Sequence, residues 1–161
     1  MALTVAAAIA GSTSAARSDP ELPIARLKIE TTAGGEPVVL ELGDDGRISG
    51  RGAFQTRAQP VGRIAGPRLL TGDGQPLATL GPGGRVDVRA SEKPMRLRGC
   101  ALIDEDGGEY TVRRNGDFWL KPAGQKRFPL PAHVDGDVRR ACPTALLLYR
   151  LLPLLLRSDA P

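Results

Sequence analysis

Aromatic residues are nearly missing from this chain, which has three Phe, two Tyr and one Trp among 161 residues. A core of large rings is therefore excluded, and so is the stacking surface on which single-strand nucleic-acid binders hold bases. Histidine is scarcer still, with His133 alone, and the only cysteines are Cys100 and Cys142. No zinc-ligand spacing can be built from that set. Asp104-Glu105-Asp106 with Glu109 has the charge of a calcium loop but misses its D-x-D-x-D-G spacing. No G-x-S-x-G elbow occurs, and no carboxylate pattern points to glycoside hydrolysis. The sequence thus assigns no catalytic residue, no metal ligand and no cofactor.

Long hydrophobic runs are lacking as well. The most apolar stretch, residues 138–156, is interrupted by Arg150 and Pro153 and falls short of the roughly 20 residues of a membrane span. Residues 145–152 should be helical, preceded by Asp135 and Asp137 as helix-start carboxylates. A helix packed on the rest of the protein is expected at 135–157, with peripheral membrane contact through this helix as the other use of its apolar side.

What the chain has in quantity is glycine and proline, 20 and 14 residues, beside 41% hydrophobic content. Turn-rich is the reading; disordered is not. Short apolar runs are joined by glycine-ended turns: 38–42 to 47–49 through Gly43-Asp44-Asp45-Gly46, and 109–113 to 117–120 through Arg114-Asn115-Gly116. Glycine supplies the positive φ that tight hairpins need. The turn glycines Gly46, Gly84 and Gly116 are spaced unevenly, so the repeat is degenerate.

The stretch Leu80-Gly81-Pro82-Gly83-Gly84-Arg85-Val86-Asp87-Val88 tests the alternative of a phosphate loop. Such a loop needs a helix behind its glycines. Here Arg85 to Arg89 alternates polar and β-branched residues, the period of a half-buried strand, and no Lys-Ser or Lys-Thr follows. A hairpin turn is expected.

Nine or ten short strands between residues 24 and 121 give the fold class: all-β, a small barrel or sandwich of short hairpins with one C-terminal helix. Residues 122–134, with Pro122, Pro129 and Pro131, read as a proline-rich connection unable to hold a central strand. Residues 1–16 read as the later part of a secretory signal peptide without its basic region, and 17–23 as a linker. Export to a periplasmic or secreted location is therefore expected, with a cytoplasmic protein as the alternative. In an oxidising compartment Cys100 and Cys142 invite a disulfide joining sheet to helix; two buried thiols are the other reading.

Charge gives the remaining functional hint. From Arg47 to Arg98 there are ten Lys or Arg against three Asp or Glu, a local excess of seven. If strand alternation turns Arg85, Arg89, Arg96 and Arg98 outward, one face of the sheet would suit an anionic partner. Eighteen of the 22 basic residues are Arg, which a compositional bias alone also produces. Nucleic acid is not expected as the partner, given the missing aromatics.

The segment from Gln59-Pro60-Val61-Gly62-Arg63-Ile64 through Asp73-Gly74-Gln75-Pro76-Leu77 to Leu80 resembles the V-G-x-I, D-x-x-G-x-x-V strand-turn pattern of PRC-barrel-like domains. More broadly, residues 38–120 resemble uncharacterised bacterial proteins made of short β repeats with Asp-Gly turns and an apolar C-terminal segment. The PRC-barrel resemblance implies a noncatalytic adaptor, often cytoplasmic, which sits against the signal-like start; no functional residues carry over. The function expected from the residues is an exported noncatalytic β domain that binds or scaffolds an envelope component. The alternatives are a small hydrolytic enzyme with a site on loops such as 51–59 or around His133, and a cytoplasmic adaptor.

Overall fold

The computed structural model describes residues 20–52, 57–89 and 91–157. Twelve antiparallel strands follow one another: β1 Leu27–Ala33, β2 Glu36–Leu42, β3 Arg47–Gly52, β4 Gln59–Ala65, β5 Arg68–Thr71, β6 Pro76–Leu80, β7 Arg85–Val88, β8 Met95–Arg98, β9 Ala101–Ile103, β10 Glu109–Val112, β11 Asp117–Lys121 and β12 Phe128–Gly136. Each pairs with its chain neighbours, and β12 pairs back onto β1, closing a barrel. The barrel of short strands with one C-terminal helix, α1 Val138–Arg157, is the expected class.

The turns follow directly from the sequence. In Gly43-Asp44-Asp45-Gly46-Arg47 the Gly46 amide donates to the Gly43 carbonyl at 3.0 Å and the Gly43 amide to Arg47 at 2.9 Å. The same pair of bonds recurs at residues 71–75, 104–108 and 113–117. Gly46 and Gly116 have φ of 83° and 93°, the left-handed residue that ends a three-residue hairpin loop. The preceding Asp45 and Asn115 side chains accept the amides of Arg47 and Asp117, each at 3.1 Å.

Inward and outward positions alternate along the strands. In β2, Val38, Leu40 and Leu42 are buried, and in β8, Met95 and Leu97. Outward positions carry Lys28, Glu41, Arg63, Asp87 and Arg96. Membrane barrels present an apolar band outward instead. These outward positions are charged. No helix among the described residues is long and apolar enough to cross a membrane.

The lumen is filled by α1. Leu146, Leu147 and Leu148 are consecutive and each at most 1% exposed, so they bury different sides of one helix. The helix touches β1, β4, β9, β10 and β12, strands distributed around the ring. Its buried apolar residues thus belong to the barrel core. Tyr149 packs on Phe118 of β11 at 4.9 Å between ring centroids and on Tyr110 of β10 at 6.2 Å. Burial raises the pKa of both tyrosine hydroxyls above the ordinary value.

Three features hold the helix in place. Cys142 forms a disulfide with Cys100 in the turn between β8 and β9, with Cα atoms 5.4 Å apart. Thr144 Oγ1 donates to the Pro23 carbonyl at 2.6 Å. Arg150 Nη2 donates to Glu105 Oε1 at 2.8 Å, with both side chains largely covered.

Two boundaries differ from the sequence expectation. Residues 122–134 are not wholly a connection, because Phe128–Gly136 is the strand that closes the barrel. Only residues 133–136 of β12 pair with β1, whereas Pro129 faces Trp119 of β11 beyond a register shift. The prolines thus occupy the half of the strand that has no ladder on one side, where a missing N–H is tolerated. The helix begins at Val138 and not at 135, because Asp135 and Gly136 are still paired with Lys28 and Leu27. Asp137 starts it: its side chain accepts the Arg140 amide at 3.3 Å and its carbonyl the Ala141 amide at 3.2 Å. Ala141 has non-helical dihedrals two residues before Pro143, where the helix bends.

Candidate functional site on the outer wall

The sequence stretch 80–88 forms a hairpin. A 3₁₀ turn at Pro82–Gly84 joins β6 to β7, and no helix follows. Gly84, at φ 80°, lies under β8, where a Cβ would overlap the Leu97 carbonyl. The glycines therefore serve close backbone approach. The signal-like segment 1–16 lies outside the described residues, as do residues 53–56 of the loop named above.

The arginines named from the sequence do point outward. Arg85, Arg89, Arg96 and Arg98 are exposed, alternating with buried Val86, Val88, Met95 and Leu97. Arg85 of β7 and Arg96 of β8 stand directly opposite each other in the ladder. Arg85 Nε bonds Asp87 Oδ1 at 3.0 Å, whereas Arg96 Nη1 reaches only the Gly83 carbonyl at 3.4 Å.

The same face continues onto strands that the sequence reading left out. Arg47 of β3 is directly opposite Arg63 of β4, and Arg68 of β5 opposes Thr79 of β6. Arg47 pairs with Asp45 at 3.4 Å. Among the described residues Arg63, Arg68 and Arg98 have no carboxylate within ion-pairing distance. The signal was present in the sequence: each arginine adjoins a buried residue, Ile48, Ile64 and Leu69, on the inward phase of its strand. The outer wall from β3 to β8 is thus strongly cationic.

Across β12, β1 and β2 the outer wall is different. An open groove of about 720 Å³ runs over it and on across β3 to Pro60 of β4, bordered by Arg26, Lys28, Glu41, Arg47, Ser49 and Asp135. Its charges are of both signs, and Arg26 at its border pairs with Asp44 at 3.2 Å. Beside this groove His133 Nδ1 faces Asp117 Oδ1 at 3.0 Å and Nε2 faces Asp135 Oδ1 at 3.1 Å. The Asp117 bond, opposed by partial burial and aided by Asp135, raises the imidazole pKa above 6.5. Both ring nitrogens are therefore engaged by carboxylates.

The acidic turn is self-satisfied. Asp104 Oδ1 accepts the amides of Asp106 and Gly108 at 3.0 and 2.8 Å, and Glu105 is held by Arg150. Among the described residues no group of three or more His, Cys, Asp or Glu side chains is arranged to hold a metal ion. Cys100 and Cys142 are joined to each other, as described above.

No family model, no curated protein and no solved structure matches this chain.

Proposed function

We propose that this protein is an exported, noncatalytic binding or scaffolding module of the bacterial cell envelope, and that it holds its partner on the outer wall of the barrel. The observation that carries the reading is the helix-filled lumen. With Leu146, Leu147 and Leu148 buried among the inward side chains, recognition falls to the outer surface, and there the dominant chemistry is arginine. The Cys100–Cys142 bond supports an oxidising compartment, as does the apolar start of the chain running into small residues.

The test is intact mass of the protein isolated from fractionated native cells, with and without alkylation under denaturing conditions. A chain shortened by about 15 residues, recovered from the envelope and resistant to alkylation, is expected. A full-length chain with two free thiols in the cytoplasm would replace this reading by the PRC-barrel-like adaptor. Hydrolytic activity lost on changing His133 without loss of folding would replace it by an enzyme.

A further inference from the structure

We infer that the β3–β8 wall is a binding surface for a linear acidic polysaccharide, which wraps the barrel across the strands. The inference rests on the proposed function in taking the outer wall as the recognition surface, and it names the partner's chemistry.

The first observation is a pair of unfavourable registers. Like charges directly opposite each other on neighbouring strands destabilise a sheet. This barrel has that arrangement twice on one face, Arg47 against Arg63 and Arg85 against Arg96. In each pair one guanidinium has a carboxylate, Asp45 or Asp87, and the other has none among the described residues. An anion seated between the members of each pair would relieve the repulsion. Guanidinium groups suit carboxylate and sulfate oxygens in particular, because their N–H fork binds two oxygens at once.

The second observation is curvature. Strands β3 to β8 are six of the twelve around the ring, so their outward side chains fan over half of its circumference. A planar bilayer meets only a few of them at a time. A flexible chain follows them all, crossing strands about 4.8 Å apart.

The third observation distinguishes polymers. None of these six strands contains an aromatic residue. Bases of single-stranded nucleic acid would find nothing to stack on. A polymer whose charge lies on sugar carboxylates or sulfates asks for nothing more than the guanidiniums.

The experiment uses the full oxidised chain and three probes of matched charge: a sulfated or polyuronate oligosaccharide, vesicles containing anionic lipid, and a single-stranded oligonucleotide. Binding is measured over a range of salt concentrations. The double variant Arg63→Gln, Arg96→Gln is compared with Lys28→Gln, Lys121→Gln, which removes the same charge from the other side of the barrel. We expect the oligosaccharide to bind most tightly. The arginine variant should weaken it on the order of tenfold and make the salt dependence shallower by nearly two phosphate-equivalent contacts, with the lysine variant close to the unmodified chain. The arginine variant should also unfold at the same or a higher denaturant concentration, because both like-charge pairs have been removed.

Equal weakening by both variants would overturn the inference in favour of net charge alone. Tighter binding to vesicles or to the oligonucleotide would overturn it in favour of those partners. Failure to bind any probe would overturn it as well, while the compartment and processing measured by intact mass would still stand or fall separately.

Discussion

Thr144, in the first turns of the lumenal helix, donates its hydroxyl to the carbonyl of Pro23 at 2.6 Å, joining residues 121 positions apart. Thr144 is fully buried, and the carbonyl it meets belongs to the strap that leads into β1. The bond therefore seats the helix against the entrance of the barrel. Thr144→Val keeps the shape and removes the donor, leaving the Pro23 carbonyl without that partner. The expected cost is about 1–3 kcal/mol in a urea unfolding curve. A change below a few tenths would show that the helix is positioned without this bond.

Reduction of Cys100–Cys142 should have a larger effect. The two residues are 42 apart, and the loop they close is long enough to stabilise by about 4 kcal/mol in the chain-entropy model. The double variant Cys100→Ala, Cys142→Ala should therefore lose a similar amount in equilibrium denaturation, and reductant should lower the midpoint of the native protein but not of the variant. Equal sensitivity of both to reductant would contradict the assignment.

His133 makes stability depend on pH in a definite direction. Its folded pKa is raised, first by the hydrogen bond to Asp117 and further by Asp135, while Glu30 of β1 stands opposite it in the ladder. A raised histidine contributes fully below its unfolded value of 6.5, and that contribution is lost as pH rises through the folded value. Unfolding curves should show stability declining from pH 6 upward through neutrality. His133→Gln should flatten that decline, since no other histidine is present. An unchanged pH profile in the variant would mean that the two carboxylate contacts are not made in solution.

At Gly84 the constraint is geometric. A positive φ of 80° strains any L side chain, and a Cβ would also overlap the Leu97 carbonyl. Gly84→Ala should cost more than about 1 kcal/mol, whereas Gly74→Ala, also at positive φ but with open space around it, should cost less. Thermal melts of the pair separate strain from collision.

How much of this was legible beforehand differs from element to element. The Asp-Gly and Asn-Gly turns declared themselves, because their conformation is fixed by a glycine and an Asp or Asn side-chain oxygen within five residues. The outward phase of Arg85 and Arg96 was equally legible, since alternation is local. Strand β12 was not, because its prolines argue against a strand unless one knows that half of it lacks a second neighbour, and only the closed ring reveals that. The apolar run at 138–156 announced a helix but not its location, since nothing in a local pattern distinguishes a helix on a sheet from one inside a barrel. His133 meets Asp135 through a visible two-residue spacing; its contact with Asp117 depends on the β11–β12 register. The opposed pairs Arg47–Arg63 and Arg85–Arg96 likewise needed the registers.

Ring closure also joins the first strand to the last. Thr31 of β1 bonds the carbonyl of Pro131 in β12, exactly one hundred positions later. As the chain emerges from its N-terminal end, β1 therefore waits with one edge unsatisfied until nearly all the other strands have appeared. Contacts of such separation make folding slow, and an open strand edge invites pairing with other chains meanwhile. Helix α1 follows all twelve strands in the chain, so its bond from Thr144 to Pro23 is a second closure of the same long-range kind.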